Sequence, residues 1–210
     1  MSVGRHRSMP VFAAAGFAVA LAFTEAAPAA TWVEFTFEGE VIDRFGENPD
    51  HPWNGVQIGD PMSFSYVMDI DQPDQSISFS QGVYDVDSAI LTYGGVSLVP
   101  EDLGPMRVNL NGSLGFDEVT IAMEPFGQTP DDAAFFNLIG FNNLPDDGIP
   151  IDFDLEEFGL RGVGYGDGIG MILNSRFHSY SYQIVPAPGA LVALAAFFFR
   201  TGSRRRPRAT

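Results

Sequence analysis

Carboxylates are the residues of this chain best suited by type and spacing to do chemistry. Asp69, Asp71 and Asp74 lie in Asp69-Ile-Asp71-Gln-Pro-Asp74, Asp85 and Asp87 frame a valine, Asp131-Asp132 and Asp146-Asp147 are adjacent pairs, and Asp152, Asp154, Glu156 and Glu157 follow. Calcium takes about six to eight oxygens from carboxylates and backbone carbonyls, so Asp-x-Asp in a loop between strands is a partial cage for it. Asp69, Asp71 and Asp74 are therefore the candidate metal ligands. The stretch has neither the glycine nor the distal glutamate of an EF-hand loop, and the competing reading is turn residues and surface charge. A glycosidase would need two carboxylates about 5 to 9.5 Å apart across a cleft; spacing in the chain singles out no such pair.

Other catalytic constellations are poorly represented. His6 lies near the N-terminus, His51 in a Pro/Asn-rich loop, and His178 on a strand face with Tyr180 and Tyr182. A hydroxyl nucleophile needs a base oriented by a carboxylate, and no G-x-S-x-G elbow is present. The chain contains no cysteine, which excludes disulfides, thiol chemistry and Cys-type zinc sites. The chain thus reads as non-enzymatic, with no cofactor expected apart from the candidate calcium. Trp53, between Pro52 and Asn54, reads as the exposed tryptophan and the candidate platform for stacking a glycan; the alternative is a loop anchor folded back over the core. Trp32 reads as the edge of the core, and Tyr165-Gly-Asp-Gly168 as a turn.

Positioning any of these groups falls to short strands. Val33, Phe35, Phe37, Gly39 and Val41 alternate with Glu34, Thr36, Glu38 and Glu40, the period of two of a half-buried strand. Met62, Phe64, Tyr66 and Met68 repeat the pattern, and Ile77, Phe79, Gln81 and Val83 alternate with serines. Further strands are predicted at 89–93, 106–110, 119–123, 135–141, 151–155, 169–173 and 177–184, with 133–141 also compatible with a short helix. Clusters such as Glu47-Asn-Pro-Asp-His-Pro52, Asp71-Gln-Pro-Asp74 and Pro145-Asp-Asp-Gly148 separate them, because Gly, Pro and Asp preset turn geometry. The expected fold is all-β, an antiparallel β-sandwich or jelly roll.

Both ends of the chain differ from this middle. Arg5, His6 and Arg7 precede an apolar segment, Val11 to Phe23, and then Ala27-Pro-Ala29. A basic start, an apolar core and an A-x-A site make a secretory signal peptide cut after Ala29. At the other end, Val185-Pro186-Ala187-Pro188 is followed by an uncharged apolar run, Gly189 to Phe199, and then Arg200, Arg204, Arg205, Arg206 and Arg208. Prolines end whatever ladder precedes them, the run favours hydrocarbon, and the arginines stay cytoplasmic. Counted from Pro186 to Ser203 with Arg200 snorkelling, the stretch approaches the length of one transmembrane helix.

This order of linker, apolar run and arginine cluster resembles the PEP-CTERM tail, the sorting signal of exported bacterial proteins processed by exosortases. Val185, Pro186, Ala187 and Pro188 match the position of its Pro-Glu-Pro motif, with Ala187 where that family has glutamate. The resemblance covers only the tail. It implies an exosortase-like sorting protease as partner, anchoring in the cytoplasmic membrane, then transfer to the cell surface or an exopolysaccharide-containing matrix. The expected organisation is a signal peptide at 1–29, a β-sandwich domain at 30–184 and the sorting tail at 185–210. Between the two ends, Arg44, Arg107, Arg161 and Arg176 stand against every acidic residue except Glu25, and lysine is absent. A body so acidic repels nucleic acid and anionic lipid and tolerates cations and neutral glycans. The functional expectation is an exported, surface- or matrix-associated protein, the alternative a lectin-like module.

Overall fold

The computed structural model describes residues 30–110, 115–129, 131–141 and 144–187. Ten strands form one antiparallel sheet: β1 Trp32–Phe45, β2 Pro61–Asp69, β3 Gln81–Tyr84, β4 Ser88–Tyr93, β5 Val96–Leu98, β6 Met106–Asn109, β7 Asp117–Met123, β8 Ala133–Gly140, β9 Phe158–Gly166 and β10 Ile172–Val185. Their order across the sheet is β3-β6-β7-β8-β9-β10-β1-β2-β4-β5. From β6 to β10 each strand pairs with its successor, and the chain closes this meander by laying β10 beside β1.

The sheet folds over onto one of its own faces. Phe37 of β1 and Phe136 of β8 have ring centroids 5.0 Å apart, although three strand spacings of about 4.8 Å separate them along the sheet. Phe64 on β2 also meets Phe136, at 5.1 Å, and the Tyr66 hydroxyl reaches Met106 Sδ across the same interior. Alternation explains the inward set: Val33, Phe35 and Phe37 on β1, Phe64, Tyr66 and Met68 on β2, Val119, Ile121 and Met123 on β7, and Ala134, Phe136 and Leu138 on β8 are all buried. Burying one such large side chain contributes about 1.5–3 kcal/mol.

The fold line runs between β9 and β10. These strands pair only at 164–166 with 172–174 and then part, as β9 continues along β8 and β10 along β1. Ser175 fills the opening: its Oγ accepts from Val163 N–H at 3.1 Å and donates to Val163 O at 2.9 Å, replacing the lost ladder bonds. Arg161, buried, donates through Nε to Phe177 O and through a terminal nitrogen to Leu155 O, and pairs with Glu156. The Phe177 carbonyl, on the strand that parts from β9, is thereby given a donor.

Three strand expectations are corrected. Residues 151–154 are loop, and Asp154 caps the short 3-10 helix Leu155–Glu157. Residues 167–170 are a turn that delays β10 until Ile172, and β9, glycine at every second position from Gly162 to Gly166, was not expected as a strand. Ile77 and Phe79 are the clearest departure: both are 102% exposed, in a loop that becomes strand only at Gln81. Their alternation with serine is local, since no facing layer reaches them. Ile77→Ser and Phe79→Ser are therefore expected to leave urea stability within about 0.5 kcal/mol of wild type; a loss above about 1 kcal/mol would show that these side chains are packed.

Candidate functional site

The carboxylates proposed as calcium ligands do not converge. Asp69 Oδ1 accepts from Asp71 N–H, Asp71 Oδ2 from Thr31 N–H, and Asp74 Oδ1 from both Ser76 and Val83 N–H. Asp69 and Asp74 turn back on nearby backbone, as aspartates in turns do, and Asp71 ties the loop to the residue before β1. Gln72 ties this loop to the next strand by hydrogen bonds to Asp69 O, Asp85 O and Asp85 N–H. Among the described residues no group of three His, Cys, Asp or Glu is placed to hold a metal ion, and Asp69, Asp71 and Asp74 each engage backbone N–H groups instead.

Trp53 is not a surface platform. It is 0% exposed, meets Tyr93 and Tyr165 edge-on at 4.9 and 4.7 Å, and donates from Nε1 to Val96 O at 2.9 Å. An indole offers a large apolar surface and one donor, and here the fold uses both. The Pro/Asn-rich loop carries the ring inward to plug one end of the folded sheet. Trp32 lies half-buried at the start of β1.

Beneath Trp53 is a buried polar network that the sequence did not announce. His51 Nδ1 accepts from Trp53 N–H at 3.0 Å, so the neutral ring carries its proton on Nε2 and donates to the Tyr165 hydroxyl at 2.6 Å. Burial holds His51 below its ordinary value, partly opposed by Asp167 and Asp132. Asp167 is buried too. Burial pushes its carboxyl up, but donors from Met171, Ile169, Asn48 and Gly170 together hold it below the ordinary carboxylate value. Asp132 likewise caps the backbone of Phe126, Gln128 and Thr129. These polar groups are all buried, and they fasten the loops around them.

A pH dependence follows. Above about 6.5, His51 is neutral in both folded and unfolded chains and its contribution is constant. As pH drops below that value the unfolded chain gains a proton that the folded ring resists, so stability falls until the folded value is reached. The depressed carboxyl of Asp167 adds a second loss lower down, through the acid range. Urea titrations should show a decline from pH 6.5 to 5 that His51→Gln reduces; a flat wild-type profile there would overturn the neutral, buried assignment.

The opening the structure does provide is on the outer face. Along β9 the outward positions are Gly162, Gly164 and Gly166, flanked by side chains of β8 and β10. Register places Phe135 and Asn174 on either side of Gly164, and Ala133 and Ile172 on either side of Gly166. Cross-strand partners share a face, so the glycines are the floor of a trough and these residues its walls. Its width is two strand spacings, about 9.6 Å between wall strands. Two adjoining hollows, about 770 and 500 Å³, meet at Asn137, Gly164 and Asn174. Phe135 is 52% exposed and Leu160 54%. Alternating glycine in Gly162-Val-Gly164-Tyr-Gly166 was the available signal. It marks a strand whose outer side carries no side chain from Gly162 to Gly166.

Comparison of the chain with protein-family models, with curated proteins and with solved structures finds no match.

Proposed function

We propose that this chain is an exported, non-enzymatic protein whose acidic domain is displayed outside the cytoplasmic membrane, anchored by its C-terminal segment and handed to an exosortase-like sorting protease for the cell surface or matrix. In this reading the folded-over sheet is a β-sandwich whose two layers stay joined through β9 and β10. Residues 1–29 and Pro188 to Thr210, which carry the proposed signal peptide, most of the tail and its arginines, lie outside the described residues.

One observation carries the reading. Trp32 and Val185 are register partners on neighbouring strands, so the chain enters and leaves the domain side by side. That arrangement suits a body made between a leader and a C-terminal anchor, since both connections then face the same bilayer. Asp69 pairs with Trp32 from the other side, and Asp69, Asp85 and Asp87 line a hollow there. Negative charge at this end disfavours contact with anionic headgroups and keeps the body off the surface.

A phosphatase reporter fused after Ile184 is expected to be active outside the membrane, and deletion of 186–210 to release the domain into the medium. A cytoplasmic reporter would end the export reading. Mass spectrometry of the surface form should find a C-terminus near Pro186 to Gly189; an intact Thr210 in every molecule would remove the sorting protease and leave the anchor.

A further inference from the structure

We propose that the glycine-floored trough on the outer face of β8, β9 and β10 binds a neutral, linear glycan laid along β9. The proposal does not depend on where the protein is located.

The floor is the first argument. Glycine inside a strand is unfavourable, since it loses more backbone freedom and packs nothing. Gly162 has a structural reason, because a Cβ there would sit 1.9 Å from Ser175 O. Gly166 has none: a Cβ would meet nothing within 4 Å, and its φ is not in the left-handed region. Gly164 would touch only Asn174 Oδ1, at 3.2 Å, the far end of a side chain. The fold does not require these two glycines, and their effect is to leave an open bed.

The walls say what fits. Phe135 presents a half-exposed ring beside Gly164, and the amides of Asn137 and Asn174 line the middle of the trough. One nitrogen of Asn137 donates to Phe135 O, leaving its oxygen as acceptor. An apolar face with a few amide groups suits a sugar ring, whose C–H side stacks on an aromatic while its hydroxyls bond to the amides. Asp131 lies at one end and Arg176, with the buried Arg161, toward the other, while Asp43, the cross-strand partner of Asn174, stands behind the β10 wall. In a body this acidic an anionic ligand is repelled and a neutral one is not.

A peptide strand is the weaker occupant. Main-chain addition needs a free sheet edge, whereas β9 at 164–166 is paired on both sides. A second copy of the chain would bury the same apolar face, and the experiment separates it.

The full chain, solubilised in a zwitterionic detergent free of sugar, is titrated calorimetrically with hexasaccharides of β-1,4-glucan, β-1,3-glucan, α-1,4-glucan, β-1,4-mannan and β-1,4-galactan. Binding of at least one is expected, weakened about ten-fold or more by Gly166→Val, which fills the bed, and by Phe135→Ala, with unchanged melting temperatures. Phe135→Ala keeps the test open if the valine variant fails to fold. No binding of any hexasaccharide by wild type at millimolar concentration, or unaltered binding by folded variants, overturns the proposal. So does a dimer in light scattering that Phe135→Ala dissociates, which would assign the trough to contact between copies.

Discussion

Gly162→Ala is expected to leave the domain about 3 kcal/mol or more less stable, or unfolded at 37 °C, while Gly166→Ala on the same face of the same strand should change stability by less than about 1 kcal/mol. The difference lies in what each new methyl would meet. At Gly162 it would stand 1.9 Å from Ser175 O and 2.8 Å from the carbonyl carbon, more than 1 Å inside the usual C···O separation of about 3.3 Å. Both are backbone atoms, so no rotamer change relieves the overlap. Relief would require β10 to lift from β9 where Ser175 and Arg161 stitch the diverging strands. Paired urea denaturation curves check this directly. Equal stabilities for the two variants would mean that the strands at the fold line are not in close contact.

Trp53→Ala should cost about 3–5 kcal/mol, the range for deleting a buried aromatic. The indole touches Tyr93, Phe126 and Tyr165, and its loss also orphans Val96 O and loosens the loop that His51 fastens. Trp53→Phe should recover part of the packing without the Nε1 hydrogen bond. Fluorescence gives an independent readout, because wild-type emission should contain a blue-shifted buried component from Trp53 that is missing in Trp53→Phe. Trp53→Ala with wild-type stability and a lost glycan affinity would restore the surface-platform reading that the burial of this ring opposes.

How much of this was legible without coordinates depended on how local the determining physics is. A strand with one dry face writes its period into the chain, and β1, β2, β4, β7 and β8 could be read from it. Ile77 and Phe79 carry the same pattern and have no layer to face, since alternation records a side chain's direction and not what lies in that direction. β9 was missed because glycine fills its outward positions from Gly162 to Gly166, and alternation with glycine reads as a turn as readily as a strand.

The all-β class, the acidity of the body and the absence of thiol chemistry could be read along the chain, because strand alternation, charge count and residue inventory do not depend on which strands become neighbours. That Trp53 is a plug, that Asp69, Asp71 and Asp74 bind backbone N–H groups, and that Phe135, Asn174 and two bare glycines share one trough emerged from the folded chain. Those outcomes depend on cross-strand register and on how the sheet folds over, and both arise from contacts between residues far apart in the chain.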